Sequence, residues 1–257
     1  MVRSKSPISL LVFSLAGFSL NLILYGGQVQ AQIPDGRMLP DQTIAGVTFE
    51  PPNDGSLEHS QGGATRDSGY CPGDANLKSS GESVLPLMPA NSQQGFTVSD
   101  RPTFFVYVPE TSAEEIFFIL KDKNEDYYYQ KSLAIPEKGG IVSVQLPADA
   151  PGLEIGQNYQ WTFAIACQMP MRPDSPTITG WVQRVSANSV GITQVEPTAS
   201  IEMAQLYGSA GIWFDAVTTL AQLRDRQPES YTATWEEFLS SVGLEAIASQ
   251  PVIFPEN

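Results

Sequence analysis

Leu153-Glu154-Ile155-Gly156-Gln157-Asn158-Tyr159-Gln160-Trp161, continued through Phe163 and Ile165 to Cys167, is the stretch that decides the fold. Gly156 marks a turn, after which Tyr159, Trp161, Phe163 and Ile165 occupy every second position. Alternate residues of a strand share one face, so this run lines the core of a two-sheet sandwich. A Tyr at the head of such a strand, after a Leu and a Gly, has the pattern of a tyrosine corner. In that arrangement the phenol ties back to upstream backbone and closes a Greek-key connection.

Working outward, short apolar runs recur at regular spacing. Strands are expected over 103–108, 115–121, 127–135, 140–146, 159–167 and 179–185, with 96–98 as a seventh. Clusters of Pro, Gly, Asp and Asn separate them. Six or seven strands across 96–190 predict an all-β immunoglobulin-like or fibronectin-like sandwich.

Beyond a polar link the period lengthens, and 198–250 reads as a small α-helical module. Met203, Ala204, Tyr207, Gly211, Trp213, Ala216, Leu220 and Pro228 have the spacing of a single tetratricopeptide-like hairpin, in which small residues let two helices approach and large ones fill the groove. Ser200 stands where that pattern usually has Trp. A third helix is expected to start at Thr234, with Glu237 completing a capping box and Gly243 as its stop. One such hairpin needs a neighbour for its apolar faces, and the sandwich of the same chain is the simplest one.

Upstream, 32–95 is rich in Gly, Pro, Ser, Asn and Asp and follows no sustained period. Such a segment buries too little apolar surface to fold alone. The first residues carry Arg3 and Lys5, then an apolar run from Ile8 to Tyr25, then Val29-Gln30-Ala31. Residues 1–31 therefore read as a signal peptide, with Gln32 the mature start and no membrane span after cleavage. The alternative is an uncleaved anchor. Export makes the chain periplasmic or extracellular, where its two cysteines, Cys71 and Cys167, form one disulfide.

The sequence carries 28 Asp+Glu against 14 Lys+Arg, a net charge of −14, and Arg3 and Lys5 leave with the signal. A surface this acidic repels phosphate backbones, so no nucleic acid is expected as partner. No metal site is expected either: the one histidine, His59, sits in a Ser/Gly-rich stretch, and no cysteine remains to help it. Asp122-Lys123-Asn124-Glu125-Asp126 starts like a calcium loop, but Tyr127 replaces the required Gly and Leu133 the bidentate Glu. P-loop, dinucleotide and nucleophile-elbow patterns are absent, so neither a cofactor nor a catalytic residue is assigned. Arg66, after Gly62-Gly63, reads as a structural pin or a ligand contact. Tyr159, Trp161 and Trp181 read as core or sheet-edge residues that could also stack sugars.

Several short motifs together resemble a known family. They are Gly62-Gly63-Ala64-Thr65-Arg66, Asp100-Arg101-Pro102-Thr103-Phe104, Tyr107-Val108-Pro109, the Leu153–Trp161 run, Gly180-Trp181-x-x-Arg184 and Leu206-Tyr207-x-x-x-Gly211-Ile212-Trp213-x-Asp215-Ala216. The family is an exported cyanobacterial one catalogued as domain of unknown function 928. The resemblance implies export and this order of segments, and supplies no activity. The functional expectation is a non-catalytic protein–protein interaction or scaffolding module of the cell envelope. It would meet another envelope protein through Tyr207, Trp213, Phe214 and Asp215. The alternative is a module that binds carbohydrate or an envelope polymer, with an unrecognised hydrolase as the remaining reading.

Overall fold

A computed structural model of the chain describes residues 46–52, 71–74, 76, 77, 82–90, 92, 94–122, 124, 126–172, 175–193 and 198–254. The expected leader over 1–31, His59 and Arg66 lie outside them.

Among the described residues nine strands form two sheets. The first contains β1 (Leu85–Pro86), β3 (Thr103–Val108), β6 (Gly140–Gln145) and β9 (Val252–Ile253), side by side in that order. The second runs β2 (Gln94–Thr97), β8 (Thr177–Arg184), β7 (Asn158–Ala166), β4 (Glu115–Asp122) and β5 (Tyr128–Ala134). Neighbours are antiparallel except for two pairs, β2 with β8 and β6 with β9, which are parallel.

Alternation sets which face turns inward. Ile116, Phe118 and Leu120 of β4 are buried, as are Tyr159, Trp161 and Phe163 of β7. Phe104 of β3 meets Phe118 at 4.9 Å and Trp161 at 6.3 Å between ring centroids, so the two sheets share one aromatic core. The Tyr159 hydroxyl accepts the Glu154 N–H at 3.0 Å, the tie-back that the Leu153–Tyr159 pattern predicts.

Three helices follow: α1 (Ile201–Ser209), α2 (Trp213–Arg226) and α3 (Pro228–Ser241). Ser200 caps α1, its hydroxyl accepting the Met203 N–H at 3.2 Å. Gly211, at φ +73°, turns the chain between α1 and α2. The expected start of the third helix at Thr234 is corrected. Pro228, in the first turn, opens α3, and Thr234 lies buried inside it. Proline is preorganised for that position and needs no side-chain cap, so it outweighs the local Thr-x-x-Glu pattern. Gly243, at φ +83°, follows the end of α3 as expected.

The helices bury their apolar faces on their own chain. Phe214 of α2 touches Phe104 across 5.3 Å, and a Cβ on Gly95 of β2 would lie 2.7 Å from the Phe214 ring. Trp213 stacks on Phe238 of α3, with centroids 5.5 Å apart and planes 15° apart, and takes the edge of Phe49 at 5.0 Å. Both buried indoles in the module donate to backbone: Trp213 to Leu87 O and Trp235 to Ala248 O, each at 2.9 Å. One core therefore runs through strands and helices. Among the described residues no helix is long and apolar enough to cross a membrane.

Candidate functional site

The four residues expected to face a partner do not form a surface. Tyr207, Trp213 and Phe214 are buried. Only part of Asp215 reaches solvent. The spacing that marks them is the spacing of a packed helix face, and on a helix that closes its own core such a face turns inward.

Asp215 is instead a clasp between α2 and the end of β2. Its carboxylate accepts the Thr97 hydroxyl at 2.7 Å and the Val98 N–H at 3.2 Å. Burial pushes its pKa up to about 6, with those hydrogen bonds pulling the other way. Tyr207 lines the same small cleft of about 140 Å³, and burial together with the Asp215 charge raises its phenol to about 12. Near neutral pH Tyr207 therefore keeps its proton, whereas Asp215 is largely ionised and its carboxylate is engaged by Thr97 and Val98.

The other sequence-selected residues are spread through the fold. Cys71 and Cys167 are joined, with their Cα atoms 5.4 Å apart. Near the bridge, Asp74 accepts the Cys71 N–H, the Ser112 N–H and the Thr111 hydroxyl, and these bonds hold its carboxyl below the usual carboxylate range against the opposing effect of burial. Tyr159 and Trp161 belong to the core, whereas Trp181 stands on the outward face of β8, partly buried. Among the described residues no three His, Cys, Asp or Glu side chains group as a metal site.

An apolar groove of about 550 Å³ adjoins these elements. Phe49, Pro52, Pro89, Ala90, Val242 and Phe96 of β2 are among the residues that line it. Three hydrogen bonds fix the walls: Trp213 to Leu87 O, Ala90 N–H to Val242 O at 3.0 Å, and Glu50 N–H to Gly208 O at 3.0 Å. β2 is the outer strand of its sheet, so the groove lies along a strand edge. Ser92 plugs the start of that edge, donating to Gln94 O at 2.7 Å and accepting the Gln94 N–H at 3.3 Å.

No sequence period marks this groove. Pro51-Pro52 and Pro89 read as turn residues, and Val242 as a helix end. The one usable signal is that proline and aromatic residues punctuate a segment otherwise poor in apolar side chains.

The sequence pattern of the family described as Domain of Unknown Function (DUF928) matches residues 61–252. No curated protein and no solved structure matches the chain.

Proposed function

The chain belongs to the family described as Domain of Unknown Function (DUF928), and on that premise we propose an exported, non-catalytic interaction module of a cyanobacterial cell envelope, periplasmic or extracellular. Its partner is another envelope protein, which lays an extended segment into the groove beside β2. The observation that carries this reading is an apolar groove lying along the outer edge of a sheet. An edge strand offers unpaired backbone groups, and a neighbouring groove accepts alternate side chains of an added strand. The basic start, apolar run and small-residue triplet of 1–31 support export, and one disulfide suits an oxidising compartment.

We read the two sheets as immunoglobulin-like. The order β1-β3-β6 corresponds to strands A-B-E, and β8-β7-β4-β5 to G-F-C-C′, with the tied-back Tyr159 heading the F position. We read α1 and α2 as a tetratricopeptide-like pair, supported by the fully buried Ala204 and Ala216.

The test is a photo-crosslinking residue at Ser92 in the native envelope, with and without Ser241→Trp, which fills the groove. The expected result is a crosslink to an extended segment of one envelope protein, lost in the Trp variant while its melting temperature is unchanged. Crosslinks confined to the chain itself, or unmoved by Ser241→Trp, would remove the groove as the interaction site.

A further inference from the structure

A second surface, independent of the groove, has a different chemistry. The outward side chains of the five-stranded sheet lie in rows across the strands. One row runs Trp181, Gln160, Lys121, Tyr128, with Gln94 of β2 beside Trp181. The next runs Thr179, Thr162, Ile119, Gln130. A third runs Thr177, Ala164, Phe117, Ser132. Trp181 is partly exposed and Tyr128 is 59% exposed, and three strand spacings place them about 14 Å apart.

The charge on this face is its most unusual property. The chain has twice as many acids as bases, 28 against 14, yet none of these three rows holds a carboxylate and the first holds a lysine. The row beyond them, Ala166, Glu115 and Ala134, brings in one, Glu115, which accepts the Ser132 hydroxyl. Amides and hydroxyls take the places that acids would occupy on an ordinary solvated face of so acidic a protein. Each of those groups both donates and accepts, which is the hydrogen-bonding character of a sugar hydroxyl. Some are already held in place: Gln94 Nε2 donates to Asn158 Oδ1 at 3.4 Å, and the Tyr128 hydroxyl donates to Gln130 Oε1 at 2.6 Å.

We propose that this sheet face binds an uncharged, hydroxyl-rich polysaccharide, whose apolar ring faces stack on Trp181 and Tyr128 while its hydroxyls meet the amides and threonines between them. Aromatic faces supply the apolar contact and the amide rows supply orientation. A face with a single carboxylate, already engaged by Ser132, matches a ligand without cations, and an acidic remainder of the surface repels anionic polymers.

The experiment is retention of the mature chain on cellulose, chitin, amylose and dextran beads, with alginate as an anionic control, for the wild type, Trp181→Ala, Tyr128→Ala and Ser241→Trp. The expected result is binding to at least one neutral polymer, unchanged by added salt, weakened about tenfold by Trp181→Ala and severalfold by Tyr128→Ala. Ser241→Trp is expected to bind like the wild type, which separates this surface from the groove. Because Tyr128 is largely exposed, its variant keeps the test sound if Trp181→Ala is poorly folded. Retention on none of the neutral polymers, retention on alginate alone, or retention unmoved by both aromatic substitutions would overturn the proposal. So would a dimer that dissociates in Tyr128→Ala, because the face would then be a contact between two copies.

Discussion

Asp215 shows how a single residue answers a different question from the one its position first raises. In a helix-pair motif it reads as a contact residue, but its carboxylate is turned onto Thr97 and Val98. Its pKa rises from 3.8 to about 6 on folding, so the native state holds a proton that the unfolded chain has released. That contribution to stability is present below about pH 4 and is lost as the pH rises through about 6. Asp215→Asn keeps an oxygen for both donors and removes the titration. Denaturant unfolding across pH 4–8 is expected to show a flatter profile for the variant. Above pH 6 the variant should gain up to about 3 kcal/mol, the size of a two-unit shift. Gly180 gives the opposite kind of test. An added Cβ there would lie 2.1 Å from the Trp161 ring. Gly180→Ala is therefore expected to cost about 1–3 kcal/mol or more by overpacking, read as a lower denaturation midpoint. Neither effect was legible in the sequence, because each depends on which residue of another element lies opposite.

At the scale of elements, periodicity told most of the story. The alternation from Tyr159 to Ile165 fixed β7, and the same signal found β3 to β6 and β8 within two residues of their ends. Period 2 is legible because one face of each strand is buried, which constrains every second residue. The parallel edge pairs were not legible, since β2 and β9 are too short to show a period, at Gln94–Thr97 and Val252–Ile253. Candidate-site residues were harder still: helical spacing found the buried face of α1 and α2, whereas the groove gathers residues from four separate segments. The cap of α1 can be tested directly. Ser200→Ala removes the acceptor for the Met203 N–H and is expected to cost about 1 kcal/mol in equilibrium unfolding. Restoration by Ser200→Asp would identify the loss as a capping effect.

For the whole molecule, the shared core predicts cooperative behaviour. Phe214 packs on Phe104, and Trp213 donates to Leu87, so strands and helices gain stability from each other. A single calorimetric transition is expected for the chain, and a fragment holding 198–254 alone is expected to lack helical circular dichroism. The disulfide acts on the same unit. It joins residues 96 apart in sequence, and the chain-entropy model assigns such a loop about 4–5 kcal/mol. Reduction is expected to lower the denaturation midpoint accordingly without splitting the transition. Cys71→Ser with Cys167→Ser should reproduce that shift and be insensitive to reductant.

The pinned walls of the groove also set its mechanics. With Ala90 tied to Val242, Leu87 to Trp213 and Glu50 to Gly208, the strand side and the helix side have no hinge between them. A slot of this kind neither opens to admit a guest nor clamps down once it has arrived. Under the proposed binding, the work of adjustment would fall on the added segment, which would have to straighten before it seats. A strand seated as proposed would pull directly on walls tied to the aromatic core, through Trp213 and Leu87.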